Sequence, residues 1–182
     1  MATVGVMLRR LLTPLLLAAA VVAAGASCTP EPEPTPTPTG FASADEAFAA
    51  AEQTYRAYVD ALNAVDLADP ATFQPVYDWL TGDALSSSKE SLTQMHADGW
   101  TVVGETTFSR ATLAEHSPDT VVLDLCLDVT DIDVVDASGV SVVPADRTDV
   151  QALRVSFSST AITTTGLRVA TSSTAEELTC TP

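Results

Sequence analysis

Lysine is nearly missing from this 182-residue chain: Lys89 stands alone, and Lys and Arg together number 8 against 24 Asp and Glu, a formal charge of −16. A chain this acidic has no cationic footprint for a phosphate backbone, which excludes sequence-independent nucleic-acid binding. Docking on anionic lipid headgroups is excluded for the same reason. Histidine is equally scarce, at His96 and His116. Neither has a second ligand at the short local spacing that zinc sites use, so no metal and no cofactor is expected. Nucleophilic catalysis has no support either: Ser86, Ser87 and Ser88 lie in no GxSxG elbow, and no histidine is placed to act as base. No apolar run reaches the roughly 18 to 20 residues that a spanning helix needs. The hydrophobic fraction of 46% suffices for one ordinary core and no second domain.

What is present begins with Arg9 and Arg10, an apolar run over 11–24, and then the small residues Gly25, Ala26 and Ser27 before Cys28. That order predicts a secretory signal over 1–27, the alternative being a retained anchor. The stretch Gly25 to Cys28 resembles the lipobox of bacterial lipoproteins, although that family places a large aliphatic residue where Gly25 stands. The resemblance implies that Cys28 becomes the new N-terminus and carries a diacylglycerol, giving a lipid partner in the membrane and an extracytoplasmic location. Two acyl chains meet the requirement for stable membrane residence. Removal of the leader takes the charge from −16 to −18, because Arg9 and Arg10 leave and no acid does.

Residues 28–40 form the lipidated cysteine and its linker. The linker reads TPEPEPTPTPT over 29–39, with proline at nearly every second position. Such a segment adopts extended polyproline II and spans about 34 Å at about 3.1 Å per residue. A stand-off spacer is preferred to an adaptor-recognition motif.

The remaining residues, 41–182, are expected to form one domain. Ser43 and Glu46 have the spacing of a capping box, and Phe48, Ala51, Tyr55, Tyr58, Val59, Leu62 and Val65 recur at helical steps. A helix of about 22 residues follows from that stripe. Asp69-Pro70 and Gln74-Pro75 mark restarts, with a short helix carrying Phe73, Val76, Tyr77 and Leu80. A third helix runs over 83–97 with Leu85, Leu92 and Met95 inward, and Gly99 ends it.

After Trp100 the period becomes two. Strands are predicted over 101–113, 121–130, 150–162 and 167–178, with a small extra hairpin over 134–143. Leu123, Leu125, Leu127 and Val129 alternate with Asp124, Cys126, Asp128 and Thr130, which makes one face buried and the other wet. Asp124 and Asp128 share that wet face with Arg154 and Arg168. Asp131, Asp133 and Asp136 approach a calcium-loop spacing, but Val135 holds the fifth position, so a hairpin with an acidic tip is expected instead.

Helices first and strands afterwards give an α+β domain, with N-terminal helices packed on one face of a curved antiparallel sheet of about four strands. This order resembles the NTF2-like cone of the cystatin-like class. The segment Trp79-Leu80-Thr81-Gly82-Asp83-Ala84-Leu85, with Gly99-Trp100 and Gly104, also resembles small lipoproteins of high-GC Gram-positive bacteria. NTF2-like scaffolds host isomerases and dehydratases whose pocket lies between helix and sheet. The resemblance therefore implies Tyr55, Tyr58, Tyr77 and Trp100 as pocket candidates, with Asp60 and Asp78 as candidate carboxylates. Each has a plainer role, as core aromatic or solvated acid. The expectation is a non-catalytic domain that binds an envelope protein or a small apolar ligand, with a small NTF2-like enzyme as the alternative.

Once Cys28 is assigned to lipid, Cys126 and Cys180 remain. An even pair outside the cytoplasm predicts a disulfide, and a redox role would want closer CxxC spacing.

Overall fold

A computed structural model describes residues 40–180. The leader expected over 1–27, Cys28 and nearly all of the expected linker 28–40 lie outside the described residues. The element order is α1 (Ala44–Asn63), a 3-10 turn (Pro70–Phe73) running into α2 (Gln74–Tyr77), α3 (Gly82–Ala97), β1 (Thr101–Val103), β2 (Thr107–His116), β3 (Thr120–Asp128), β4 (Asp133–Val135), β5 (Val150–Ser159) and β6 (Leu167–Thr174). Among the described residues no helix is long and apolar enough to cross a membrane.

Local chemistry sets the helix ends. The Ser43 hydroxyl accepts from the Glu46 N–H at 3.2 Å, and the Glu46 carboxylate accepts from the Ala42 N–H at 2.8 Å. The glutamate thus reaches one residue further back than a standard capping box. At the end of α3 the Gly99 N–H donates to the His96 carbonyl and the Trp100 N–H to that of Met95, at 3.1 and 3.0 Å. Gly99 has φ +67°, the left-handed geometry this helix stop requires.

The main sheet is antiparallel with strand order β2-β3-β5-β6, and the helices pack on one face of it. Ala47, Ala51, Tyr55 and Val59 form one row of α1, four residues apart, against Val121, Leu123, Leu125, Val155, Phe157, Leu167 and Val169. The two alanines bring the helix backbone close to the sheet. Burying each large aliphatic or Phe side chain stabilises the fold by about 1.5–3 kcal/mol. Thr54, fully buried, donates to the Ala50 carbonyl at 2.7 Å and shares a hydroxyl contact of 2.6 Å with Thr165, which ties α1 to the β5–β6 turn. The segment entering α3 covers the β6 edge: Thr81 N–H donates to the Val169 carbonyl at 2.8 Å and Val169 N–H to that of Trp79 at 2.9 Å. Covering that edge removes unpaired backbone groups that invite aggregation.

The structure corrects the sequence reading in three places. The single strand expected over 101–113 divides at Gly104, where φ is +88° and a Cβ would collide with the Asp131 carbonyl. Its first part, β1, pairs with β4 in a separate two-stranded sheet, Val102 opposite Val134, and β4 also bridges Ser141. Next, Cys126 alternates onto the wet face yet is 1% exposed. Its disulfide to Cys180, with Cα atoms 5.7 Å apart, brings the chain end over it, and Ala175 N–H donates to the Ala152 carbonyl at 2.9 Å. Finally, β6 stops at Thr174 rather than 178, because the residues after it turn back toward that disulfide.

Candidate functional site

Between α1, α3 and the inner sheet face lies a cavity of about 440 Å³. Tyr55, Tyr58 and Leu62 form its α1 wall, Leu127, Leu153 and Val169 its floor. The α3 wall is made of small residues, Ala84, Ser87, Ser88 and Ser91, with Asp83 in the first helical turn. The space exists because α3 presents methyls and hydroxyls where bulkier side chains would have met the sheet. Its polar lining is otherwise hydroxyl, including Ser172 from β6.

Tyr55 is clamped. Its ring meets Phe108 edge-on at 5.0 Å and Phe157 edge-on at 6.4 Å, and lies 5.6 Å from Tyr58. Burial, with a smaller contribution from Tyr58, pushes the Tyr55 phenol far above its ordinary range. Burial raises Tyr58 as well. Both therefore stay neutral over the physiological range and act as hydrogen-bonding groups, not as acids or bases. Among the described residues neither hydroxyl has a hydrogen-bond partner, so both are free for an occupant of the cavity.

Tyr77 and Trp100 lie elsewhere. Trp100 packs with Leu67, Phe73 and Leu92 in a separate cluster, and Tyr77 lies half-buried between that cluster and the main core. Asp60 is exposed, and Asp78, also exposed, accepts from Gln74 Nε2 at 2.7 Å. Sequence reasoning missed Asp83, Ala84 and Ser87. The available signal was the row of small residues at steps of three and four on α3, which periodicity reads only as a polar face.

A second cavity of about 210 Å³ lies beyond the first, toward β1 and β4, with Val102, Ile132 and Val134 in its walls. Leu62, Leu92 and Met95 line both cavities and so form the partition between them.

Other motifs are absorbed by structure. Ser86 and Lys89 have the S-x-x-K spacing of some nucleophile–base pairs, which the sequence reading passed over, yet the Ser86 hydroxyl donates to the Gly82 carbonyl at 3.2 Å and the Lys89 ammonium lies 5.4 Å from the Tyr77 ring centre. His96, which reads in sequence as solvated, uses Nδ1 to donate to the Leu67 carbonyl at 2.6 Å, pinning the end of α3 to the preceding loop. The acidic tip holds itself: the Asp136 carboxylate accepts from Ser138 Oγ at 2.7 Å and from two backbone N–H groups, which lowers its pKa. Among the described residues no three His, Cys, Asp or Glu are grouped to hold a metal.

No family model matches the chain, and no curated protein does. Solved structures are similar to it at low identity. The intermembrane space region of the chloroplast protein ARC6 is similar at 12% identity, with 70% of this chain and 95% of that one covered and a TM-score of 0.49. A candidate aromatic ring hydroxylase from Novosphingobium aromaticivorans is similar at 15% identity, 70% and 87% coverage and TM-score 0.48. An IcmL-like type IV secretion system protein from Legionella pneumophila is similar at 11%, 79% and 100% coverage and TM-score 0.46. Likenesses this distant assign no activity to the chain.

Proposed function

We propose that this chain is a lipid-anchored extracytoplasmic protein, held to the outer face of the cell membrane through Cys28, whose NTF2-like domain binds a small, largely apolar ligand without transforming it. The observation that carries the binding role is the cavity of about 440 Å³ between α1, α3 and the sheet, with a largely apolar lining and two phenols that have no hydrogen-bond partner among the described residues. Cavities of that size, with few convergent polar groups, suit small-molecule ligands. The polar groups at hand, Tyr55, Tyr58, Ser88 and Ser172, offer neutral hydrogen bonds. The one carboxylate in the lining, Asp83, is an exposed residue of the first turn of α3. General bases are most often imidazoles or carboxylates; the lining holds no histidine and its one acid faces water, which favours binding over isomerase or dehydratase chemistry.

The anchor rests on Arg9, Arg10, the apolar run and Cys28, and the proline-rich linker serves as the stalk. Native mass spectrometry of the protein purified gently from its host's envelope tests the ligand. A mass that denaturation removes is expected, and a bare chain would overturn the reading in favour of a role through the outer surface. Cys28→Ala tests the anchor, with release to the medium or accumulation of uncleaved precursor expected. Normal processing with unchanged membrane retention would refute it.

A further inference from the structure

We propose a second site, at the β6 edge of the sheet, that binds a small amino-carboxylate zwitterion with an apolar side chain. Its carboxylate would be held by Arg168 and its ammonium by Asp78. The site shares no lining residue with the cavity between α3 and the sheet.

The argument starts from charge. Among the described residues, Arg56 pairs with Glu52, Arg154 with Asp124, and Arg147 with two backbone carbonyls and Asp149. Among the described residues Arg168 has no hydrogen-bonded or ionic partner, in a chain with a threefold excess of acids. Its Nε, like that of Arg147, is buried and meets no acceptor. A ligand in the recess cannot reach an N–H sealed in this way, so it is the rest of the guanidinium, also unpartnered among the described residues, that an oxygen acceptor would meet there.

The surroundings say what that is. Arg168 lines a recess of about 410 Å³ with Pro75, Asp78, Trp79, Ile162 and Thr164. The backbone pairing of Trp79 and Thr81 with Val169 brings Trp79 alongside Arg168. Ile162 is 75% exposed, so a large aliphatic side chain stands at the recess without a folding reason. Trp79, Pro75 and Ile162 together give apolar walls. Asp78 shares the recess but forms no ion pair with Arg168, and its engaged oxygen, Oδ1, leaves Oδ2 available. Two opposite charges in one recess that do not meet select a ligand carrying both signs. A polyanion is repelled by Asp78, a simple cation by Arg168, and a planar carboxylate matches the guanidinium fork. The recess has room for one amino acid up to the size of phenylalanine.

Calorimetric titration of the full chain with L-phenylalanine and L-leucine tests this, with phenylalaninamide and 3-phenylpropionate as single-charge controls. Saturable binding of the amino acids is expected, weakened by about tenfold or more for each control, as loss of one charge-assisted hydrogen bond implies. Arg168→Lys retains the charge but not the fork and should weaken binding by a similar factor, as should Asp78→Asn, with circular dichroism and the unfolding midpoint reporting that both variants are folded. No saturable binding of either amino acid overturns the proposal. So does equal affinity for 3-phenylpropionate, or unchanged affinity in both folded variants.

Discussion

The side chain of Asn63 and the backbone of Thr106 exchange two hydrogen bonds. Asn63 Nδ2 donates to the Thr106 carbonyl at 2.8 Å, and the Thr106 N–H donates to Asn63 Oδ1 at 2.9 Å. This pair joins the last residue of α1 to the corner between β1 and β2, where Thr106 is 7% exposed. Asn63→Ala leaves both backbone groups unpaired and is expected to destabilise the fold by about 1–3 kcal/mol. Asn63→Asp keeps the acceptor and sets a carboxylate against a carbonyl, so it should not recover the loss. Urea unfolding midpoints check both.

Gly104 and Gly139 make a matched comparison. Both have positive φ, +88° and +83°, but a Cβ at Gly104 strikes the Asp131 carbonyl whereas one at Gly139 meets nothing within 4 Å. Gly139→Ala should cost only the left-handed backbone penalty of about 1–2 kcal/mol. Gly104→Ala should cost clearly more and displace the loop after β3. Equal thermal midpoints for the two variants would contradict the steric argument.

Hydrogen bonds from Arg154, at 2.7 Å to each carboxylate oxygen, hold the Asp124 carboxyl below the usual carboxylate range. A depressed acid contributes stability that is present above its unfolded pKa of about 3.9 and is lost as pH falls through the folded value. Asp124→Asn is therefore expected to be less stable than the parent at neutral pH and to converge on it in strong acid. Denaturant unfolding at a series of pH values below 5 reads this directly. A constant gap down to the acid limit would mean that the ion pair is not the cause.

Removing the disulfide, whose cysteines are 54 positions apart, should lower stability by about 4 kcal/mol on the chain-entropy account. Cys180→Ser is the cleaner variant, because Cys126 is buried and a hydroxyl there would add its own penalty. Equilibrium unfolding with and without reductant checks the magnitude, and reductant should leave the variant unchanged.

Tyr55→Phe separates the two uses of that residue. Its hydroxyl has no partner among the described residues, so stability should change by less than about 1 kcal/mol. The cavity ligand should nevertheless be retained less well in native mass spectra. A loss of stability as large as that of Asn63→Ala would show that the hydroxyl is spent on folding.

Much of this was legible in the chain. The stripe from Phe48 to Val65 and the alternation of Leu123, Leu125 and Leu127 are consequences of helical and strand period, and local period is written in local sequence. The same holds for the Ser43 cap, the stop at Gly99 and the preference of Cys126 for Cys180. Sequence alone thus determined the helices-then-strands order and the α+β class, and it carries every argument for Cys28 and the linker. Tertiary structure decided what depends on volume and on residues distant in sequence. The break at Gly104 follows from a carbonyl 27 positions away, that of Asp131. The cavity follows from a mismatch in size between α3 and the sheet, and no periodicity reports how far apart two faces come to rest. Whether Tyr55 met a ligand-sized space or a neighbour, and whether Arg168 met an acid or none, were settled only when the chain closed on itself.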